Sequence, residues 1–164
     1  DGTLWATGMN NYGQLGDGTT TDRTSPVQIA TGVRAVSAGG YYHTVFLKLD
    51  GTAWAMGLNT SGQLGDGTTA TRPAPVDVTG LGSDVQSVSA GQNHTCAVTT
   101  SGKVKCWGYN AYGQLGDGTT TAGDLPVQVN RLKGVTAIAA GALHSLATTI
   151  KSSSPIPELA GAGE

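Results

Sequence analysis

The sequence predicts an all-β protein built from about three units of four short antiparallel strands, and three observations point there. The first is composition: 26 of 164 residues are Gly and 23 are Thr, while 12% are charged and 5% aromatic. That balance suits a turn-rich sheet protein and excludes a coiled coil, a helical bundle or a helical membrane protein. The second is a repeat. Gly13-Gln14-Leu15-Gly16-Asp17-Gly18-Thr19-Thr20 returns from Gly62 to Thr69 and again from Gly113 to Thr120, at spacings of 49 and 51 residues. The third is period-2 patterning punctuated by Asp-Gly and Ser-Gly pairs, which reads as a series of hairpins.

The elements follow one order in every copy. Thirteen residues after the first Gly of each octapeptide, a Pro-Val pair opens a short apolar strand at Pro26, Pro75 and Pro126. An alternating segment comes next, Val33 to Gly39, with counterparts from Val85 to Gly91 and from Val135 to Gly141. A His follows in each copy, so His43, His94 and His144 occupy one equivalent position. After the His runs a strand such as Thr44-Val45-Phe46-Leu47-Lys48-Leu49, then a turn such as Asp50-Gly51 or Ser101-Gly102, then a returning strand ending in Gly57 or Gly108. Four strands per unit is the pattern of a β-propeller blade, with the octapeptide loop expected to link one blade to the next.

Three blades are too few for a ring, because propellers have roughly four to eight. An incomplete array leaves apolar faces and strand edges open. The segment from Asp1 to Gly8 reads as the second half of a hairpin, and His144 to Thr149 as the first half of one. The ring is therefore expected to be completed by a longer parent chain or by head-to-tail pairing of copies. Residues 1–150 form the repeat region, and 151–164 read as a Ser/Pro/Gly tail.

The run Trp107-Gly108-Tyr109-Asn110-Ala111-Tyr112-Gly113-Gln114-Leu115-Gly116, with Ala90-Gly91-Gln92-Asn93-His94-Thr95, resembles the repeat of the regulator of chromosome condensation family. The Gly-Asp-Gly-Thr-Thr extension and the Cys pair resemble its bacterial version. The resemblance implies a seven-bladed propeller that binds other proteins without catalysis. Within that family a eukaryotic member promotes nucleotide exchange on a small GTPase, and a bacterial relative inhibits β-lactamases. Neither activity travels with the repeat, because function in such a fold resides in its variable loops.

Charge narrows the partners. A net charge of −2, with the basic residues scattered, offers no face for a nucleic-acid backbone. No apolar run approaches the roughly 18 to 20 residues of a membrane span. The Gly-rich loops lack a Lys before Ser or Thr and precede no helix, so they are not phosphate-binding loops, and no cofactor is expected.

Residues with chemical potential reduce to three sets. Cys96 and Cys106 flank a tight turn centred on Ser101, facing each other on neighbouring strands. A disulfide is expected there, and with it an exported or surface location; two buried free thiols are the alternative. The three His residues could surround an axis and hold Zn²⁺, but no carboxylate recurs beside them, and hydrogen bonding to backbone in a neighbouring loop is favoured. Asp17, Asp66 and Asp117 stand one per loop, too few oxygens for Ca²⁺, and are expected to fix the Gly-rich turns. Leu15, Leu64 and Leu115 are expected to plug the cores between blades. No nucleophile, base and orienting group come together, so no enzyme is expected.

Individuality lies where the copies differ. Before the octapeptides these positions include Asn11, Tyr12, Asn59, Tyr109, Asn110 and Tyr112, and before the histidines Tyr41, Tyr42, Gln92 and Asn93. Tyr supplies large, fairly rigid contact area and Asn adaptable hydrogen bonds, so these residues are the candidate protein-binding surface. The alternative is that the Tyr rings pack over neighbouring blades, in a structural repeat segment of a large bacterial surface protein that contacts only its sister blades.

Overall fold

A computed structural model describes residues 2–40 and 42–150 of the chain. The tail expected over 151–164 and the candidate Tyr41 lie outside the described residues. Among those described there are twelve strands and no helix. β1 (Thr3–Gly8) and β2 (Arg23–Thr31) form a two-stranded sheet. A four-stranded sheet follows, β3 (Val33–Ala38), β4 (His43–Lys48), β5 (Ala53–Gly57) and β6 (Arg72–Asp77), in chain order. The next sheet repeats it with β7 (Val85–Ala90), β8 (His94–Thr99), β9 (Val104–Gly108) and β10 (Gly123–Gln128). β11 (Val135–Ala140) and β12 (Ser145–Thr149) end the array as a second pair. All pairings are antiparallel. The expected blades are present: two complete ones between two half-blades.

Sheets stacked on both sides lose the inside-outside alternation of a single buried face. Accordingly all six residues of β8 are buried, as are Val45, Phe46 and Leu47 of β4. The outermost strands differ from expectation. β2, β6 and β10 begin at Arg23, Arg72 and Gly123, three residues before their Pro-Val pairs, and each carries a register shift against its neighbour. Proline survives inside these strands because each is a sheet edge, where a missing N–H breaks no ladder bond.

The octapeptide loop also sits elsewhere than expected. It joins the third and fourth strands of one blade, β5 to β6 and β9 to β10, rather than one blade to the next. Its contact with the following blade is made through space. The Gln63 carbonyl accepts hydrogen bonds from Thr95 Oγ1 at 2.8 Å and from Trp107 Nε1 at 2.9 Å, both on the next sheet.

The core is correspondingly divided among the joints between successive sheets. Leu4, Val33, Phe46 and Met56 close the first joint. Val45, Leu47, Ala55, Leu64, Val78, Ala97 and Trp107 close the second, and Cys96, Val98, Cys106, Leu115 and Val135 the third. Leu15, Leu64 and Leu115 are all buried, as expected of plugs. Glycine is required beside them: a Cβ on Gly65 would lie 2.7 Å from Trp107 Nε1, and one on Gly16 2.4 Å from Met56 Sδ. Cys96 and Cys106, directly opposite across β8 and β9, form a disulfide.

His43 and His94 each weld a joint, by a partner other than the expected loop backbone, whereas His144 is exposed. His43 Nε2 lies 3.0 Å from Thr95 Oγ1 and His94 Nε2 2.9 Å from Ser145 Oγ, hydroxyls on the next sheet or beside it. Those hydroxyls donate onward to the Gln63 and Gln114 carbonyls, so the imidazole must be the donor, neutral and protonated at Nε2. Nδ1 of both rings is buried without a partner. Burial first, and the next histidine along the array second, push both pKa values down to about 4.

Candidate protein-interaction rim

The loops before the octapeptides and those before the histidines meet on one rim of the array. Leu58 N–H donates to the Tyr42 carbonyl at 2.7 Å, and Tyr109 N–H to the Asn93 carbonyl at 2.8 Å. Gly40 N–H reaches the Gly91 carbonyl at 2.9 Å, tying the inner loops of adjacent blades together. The opposite rim holds the Asp50-Gly51 and Ser101-Gly102 turns and the connections between blades.

An Asn three residues before each octapeptide braces its loop. In the second copy the Asn59 side-chain oxygen accepts from Leu64 N–H at 2.9 Å, while its amide donates to Asp66 Oδ1 at 3.1 Å and to the Thr68 carbonyl at 3.0 Å. Asn10 and Asn110 make the same bonds in their loops. Asn59 and Asn110 are fully buried with their amides committed internally, which removes both from the contact surface proposed for them. The signal was available: Asn10, Asn59 and Asn110 are identical in the three copies, so the blade accounts for them.

The aspartates fix the turns as expected. Asp66 Oδ1 accepts from Thr68 N–H at 3.0 Å and Thr68 Oγ1 at 2.7 Å, and Oδ2 pairs with Arg72 Nε at 2.8 Å. Asp17 pairs with Arg23 in the same way at 2.6 Å. In the third copy Gly123 stands in place of the Arg, and Asp117 keeps the Thr119 bonds. Burial opposes ionisation of Asp17, but the Thr19 and Arg23 hydrogen bonds together outweigh it and hold the carboxyl at about 2. Asp66 and Asp117 are lowered for the same reasons, Asp117 without an Arg. Among the described residues no three of His, Cys, Asp and Glu gather where they could hold a metal.

This bracing presents the tyrosines. Gln14 and Gln114 accept the backbone N–H of Tyr12 and Tyr112 through Oε1, each at 3.0 Å. The Tyr12 and Tyr42 rings lie 4.6 Å apart and tilted, and the Tyr109 and Tyr112 rings 6.3 Å apart, edge to face. Tyr112 is 70% exposed and Tyr12 38%; Tyr42, Gln92, Asn93 and Tyr109 are half-buried and Asn11 is exposed. Met9 and Leu143 add exposed apolar surface to the same rim. The rim thus brings together the candidates the sequence singled out, apart from Asn59 and Asn110 and with Tyr41 not described.

Comparison with known proteins gives a consistent picture. The profile of the regulator of chromosome condensation (RCC1) repeat matches residues 1–47, 50–98 and 101–148. The ultraviolet-B receptor UVR8 of Arabidopsis thaliana is 35% identical over 155 residues, which cover 91% of this chain and 35% of the receptor. The human E3 ubiquitin-protein ligase HERC2 is 43% identical over 77 residues, 45% of this chain and 2% of that protein. The crystal structure of Prp20p from Saccharomyces cerevisiae, described with its binding to Gsp1p and histones, superposes with a TM-score of 0.79 at 21% identity, over 93% of this chain and 41% of that one. Yeast Prp20 bound by Kap60 gives 0.74 at 19% identity, over 92% and 38%. The chain therefore spans about a third of the receptor and two fifths of the yeast protein.

Proposed function

The chain belongs to the RCC1 repeat family, and from that premise we propose that it is a non-enzymatic propeller segment that binds another protein through its tyrosine rim. One observation carries the proposal: two tyrosine pairs, each with one exposed ring, Tyr12 or Tyr112, stand on a rim whose octapeptide loops are braced by buried Asn and by Asp, at positions where the repeats differ. Side chains with few rotatable bonds on rigid loops lose little entropy on binding, which favours them as anchors. Binding of Gsp1p and histones by the structurally similar Prp20p supports a protein partner as the class.

Changing Tyr12, Tyr42, Tyr109 and Tyr112 together to Ala should weaken partner capture by about tenfold or more, the effect of losing one or two interface anchors. The control is Ser101 and Lys103, on the opposite rim, changed to Ala with no loss. A photo-crosslinking residue at position 112 should trap protein partners, whereas one at position 101 should not. Equal capture by the variant lacking these four tyrosines, or crosslinks confined to position 101, would contradict the proposal.

We also propose that the protein works in an oxidising compartment, exported or at a surface, because the Cys96–Cys106 bridge belongs there. Closing so short a loop contributes on the order of 2–3 kcal/mol in the chain-entropy account. Alkylation of the unreduced protein taken directly from its cells should leave both cysteines unmodified. Labelled thiols at positions 96 and 106 would rule out that location.

A further inference from the structure

Two of the three octapeptide loops are locked by an arginine from their own blade, and the third is built to the same plan without one. Arg23 and Arg72 begin β2 and β6, where they face Gly8 and Gly57 at the end of the preceding strand. From there each guanidinium lays one edge on its loop. Arg23 Nε donates to Asp17 Oδ2 at 2.6 Å and its Nη2 to Thr19 Oγ1 at 3.3 Å. Arg72 makes the same two bonds to Asp66 and Thr68, at 2.8 and 3.4 Å. The seat is a carboxylate oxygen beside a hydroxyl, matched to the Nε and Nη2 donors of one guanidinium.

Gly123 holds the corresponding place in the third copy, facing Gly108 in the same register. The seat itself remains. Thr119 N–H donates to Asp117 Oδ1 at 2.9 Å, Thr119 Oγ1 lies 2.9 Å from both carboxylate oxygens, and Asn110 Nδ2 donates to Oδ1 at 3.3 Å. Burial opposes ionisation of Asp117, but the Thr119 and Asn110 bonds outweigh it and hold the carboxyl below its usual range. An anion therefore stands there at neutral pH, and among the described residues no cation pairs with it. Thr119 is exposed where Thr19 and Thr68 are half-buried, in keeping with the loss of the arginine that covers them.

Among the described residues, every group that bonds the Asp17 and Asp66 side chains belongs to the loop and strand start of the same repeat. The difference in the third copy is thus one of sequence within residues 110–123, and no neighbouring blade enters it. Charge around the seat is one-sided as well. Between residues 109 and 128 stand two carboxylates, Asp117 and the exposed Asp124, and no Lys or Arg.

We propose that Asp117 and Thr119 form a vacant guanidinium seat, filled by an arginine side chain of the protein that docks on the tyrosine rim. The inference rests on the rim reading and adds to it the chemistry of the partner, a basic segment that presents arginine beside Tyr112. That arginine takes the place that Arg23 and Arg72 hold in their own loops. A lysine would match the charge but not the paired donors, so arginine is the occupant.

The probe is a phage-displayed library of short random peptides, selected on the unmodified chain. Binders should be enriched in arginine, and replacing that arginine by citrulline, its neutral isostere, should weaken them about tenfold. Gly123→Arg supplies the guanidinium from within the chain and should weaken the same peptides about tenfold, whereas Gly123→Ala should leave them unchanged. The position admits both, since a Cβ on Gly123 meets nothing closer than 3.4 Å. Gly123→Arg also keeps Asp117 and its bonds, so the loss reads occupation of the seat and not a damaged loop. Peptides that lose binding without the four tyrosines but ignore both citrulline and Gly123→Arg would overturn the seat and leave the rim standing. Peptides that need position 123 open but not the tyrosines would keep the seat and remove the rim reading. An absence of binders, or binders without arginine, would overturn the seat.

Discussion

Changing Trp107 to Ala is expected to remove about 3–5 kcal/mol of unfolding free energy, the range for deleting a fully buried aromatic ring. Trp107 has no exposed surface and packs in the joint of Leu64, Val78 and Ala97. Gly65 beneath the indole has no side chain to fill the space, and its loop is braced by Asn59 and Asp66. The cavity therefore stays open, which places the cost towards the upper end. The Gln63 carbonyl keeps its bond from Thr95, so the loss is one of packing and not of an orphaned acceptor. Trp54 provides the contrast. Half-buried, it carries Lys48 Nζ 4.0 Å above its ring, and Trp54→Ala should cost about 1–2 kcal/mol. Urea denaturation separates the two, and Trp107→Met, the residue of the equivalent joint, should recover part of the loss. Equal costs at the two positions would contradict the assignment of the core to the joints.

Acid should weaken the same joints before it reaches the carboxylates. His43 and His94 have pKa values of about 4 in the folded chain against about 6.5 when unfolded. Above pH 6.5 both states hold them neutral, and their contribution is fully present. As pH falls towards 4 the unfolded chain takes up protons that the folded chain refuses, so stability drops through that window. The loss approaches on the order of 3 kcal/mol per histidine at its lower end. The aspartates act later: folded Asp17 is held at about 2, so its contribution is present above about 4 and fades only as pH falls through that value towards 2. The urea midpoint should accordingly fall in two stages, and His43→Gln with His94→Gln should flatten the first while leaving the second. A midpoint constant between pH 6.5 and 4.5 in the unmodified chain would contradict the buried neutral imidazoles.

What the sequence made legible was local or repeated. The alternation of Val33 to Gly39 marks β3, Asp50-Gly51 marks its hairpin, and the symmetric flanks of Ser101 mark the Cys96–Cys106 pair. The constancy of Leu15, Leu64 and Leu115 marks plugs, and the single Asp per loop marks a turn brace. What escaped depends on residues about 50 positions apart. The imidazole of His43 is answered by Thr95, 52 residues away, and no period-2 reading reveals which hydroxyl of the next blade stands opposite. The octapeptide could be assigned to a link between blades because it does contact the next blade, yet the strand order shows that it returns to its own. On the rim, Asn59 and Asn110 were grouped with the tyrosines by chemistry, although their identity with Asn10 marked them as part of the frame. The strand starts at Arg23, Arg72 and Gly123 were masked by the prolines behind them, whose presence signals an edge strand as readily as a strand's beginning.

The account rests on blades that cannot stand without their neighbours, each joint being shared core. Native-state hydrogen exchange resolved by residue tests this most directly. The buried amides of β4, β5, β8 and β9 should open with one common free energy, and Trp107→Ala should lower that value on both sheets by the same amount. Separate opening energies for the β3–β6 and β7–β10 sheets, with only the second sensitive to Trp107, would show self-sufficient blades and contradict it.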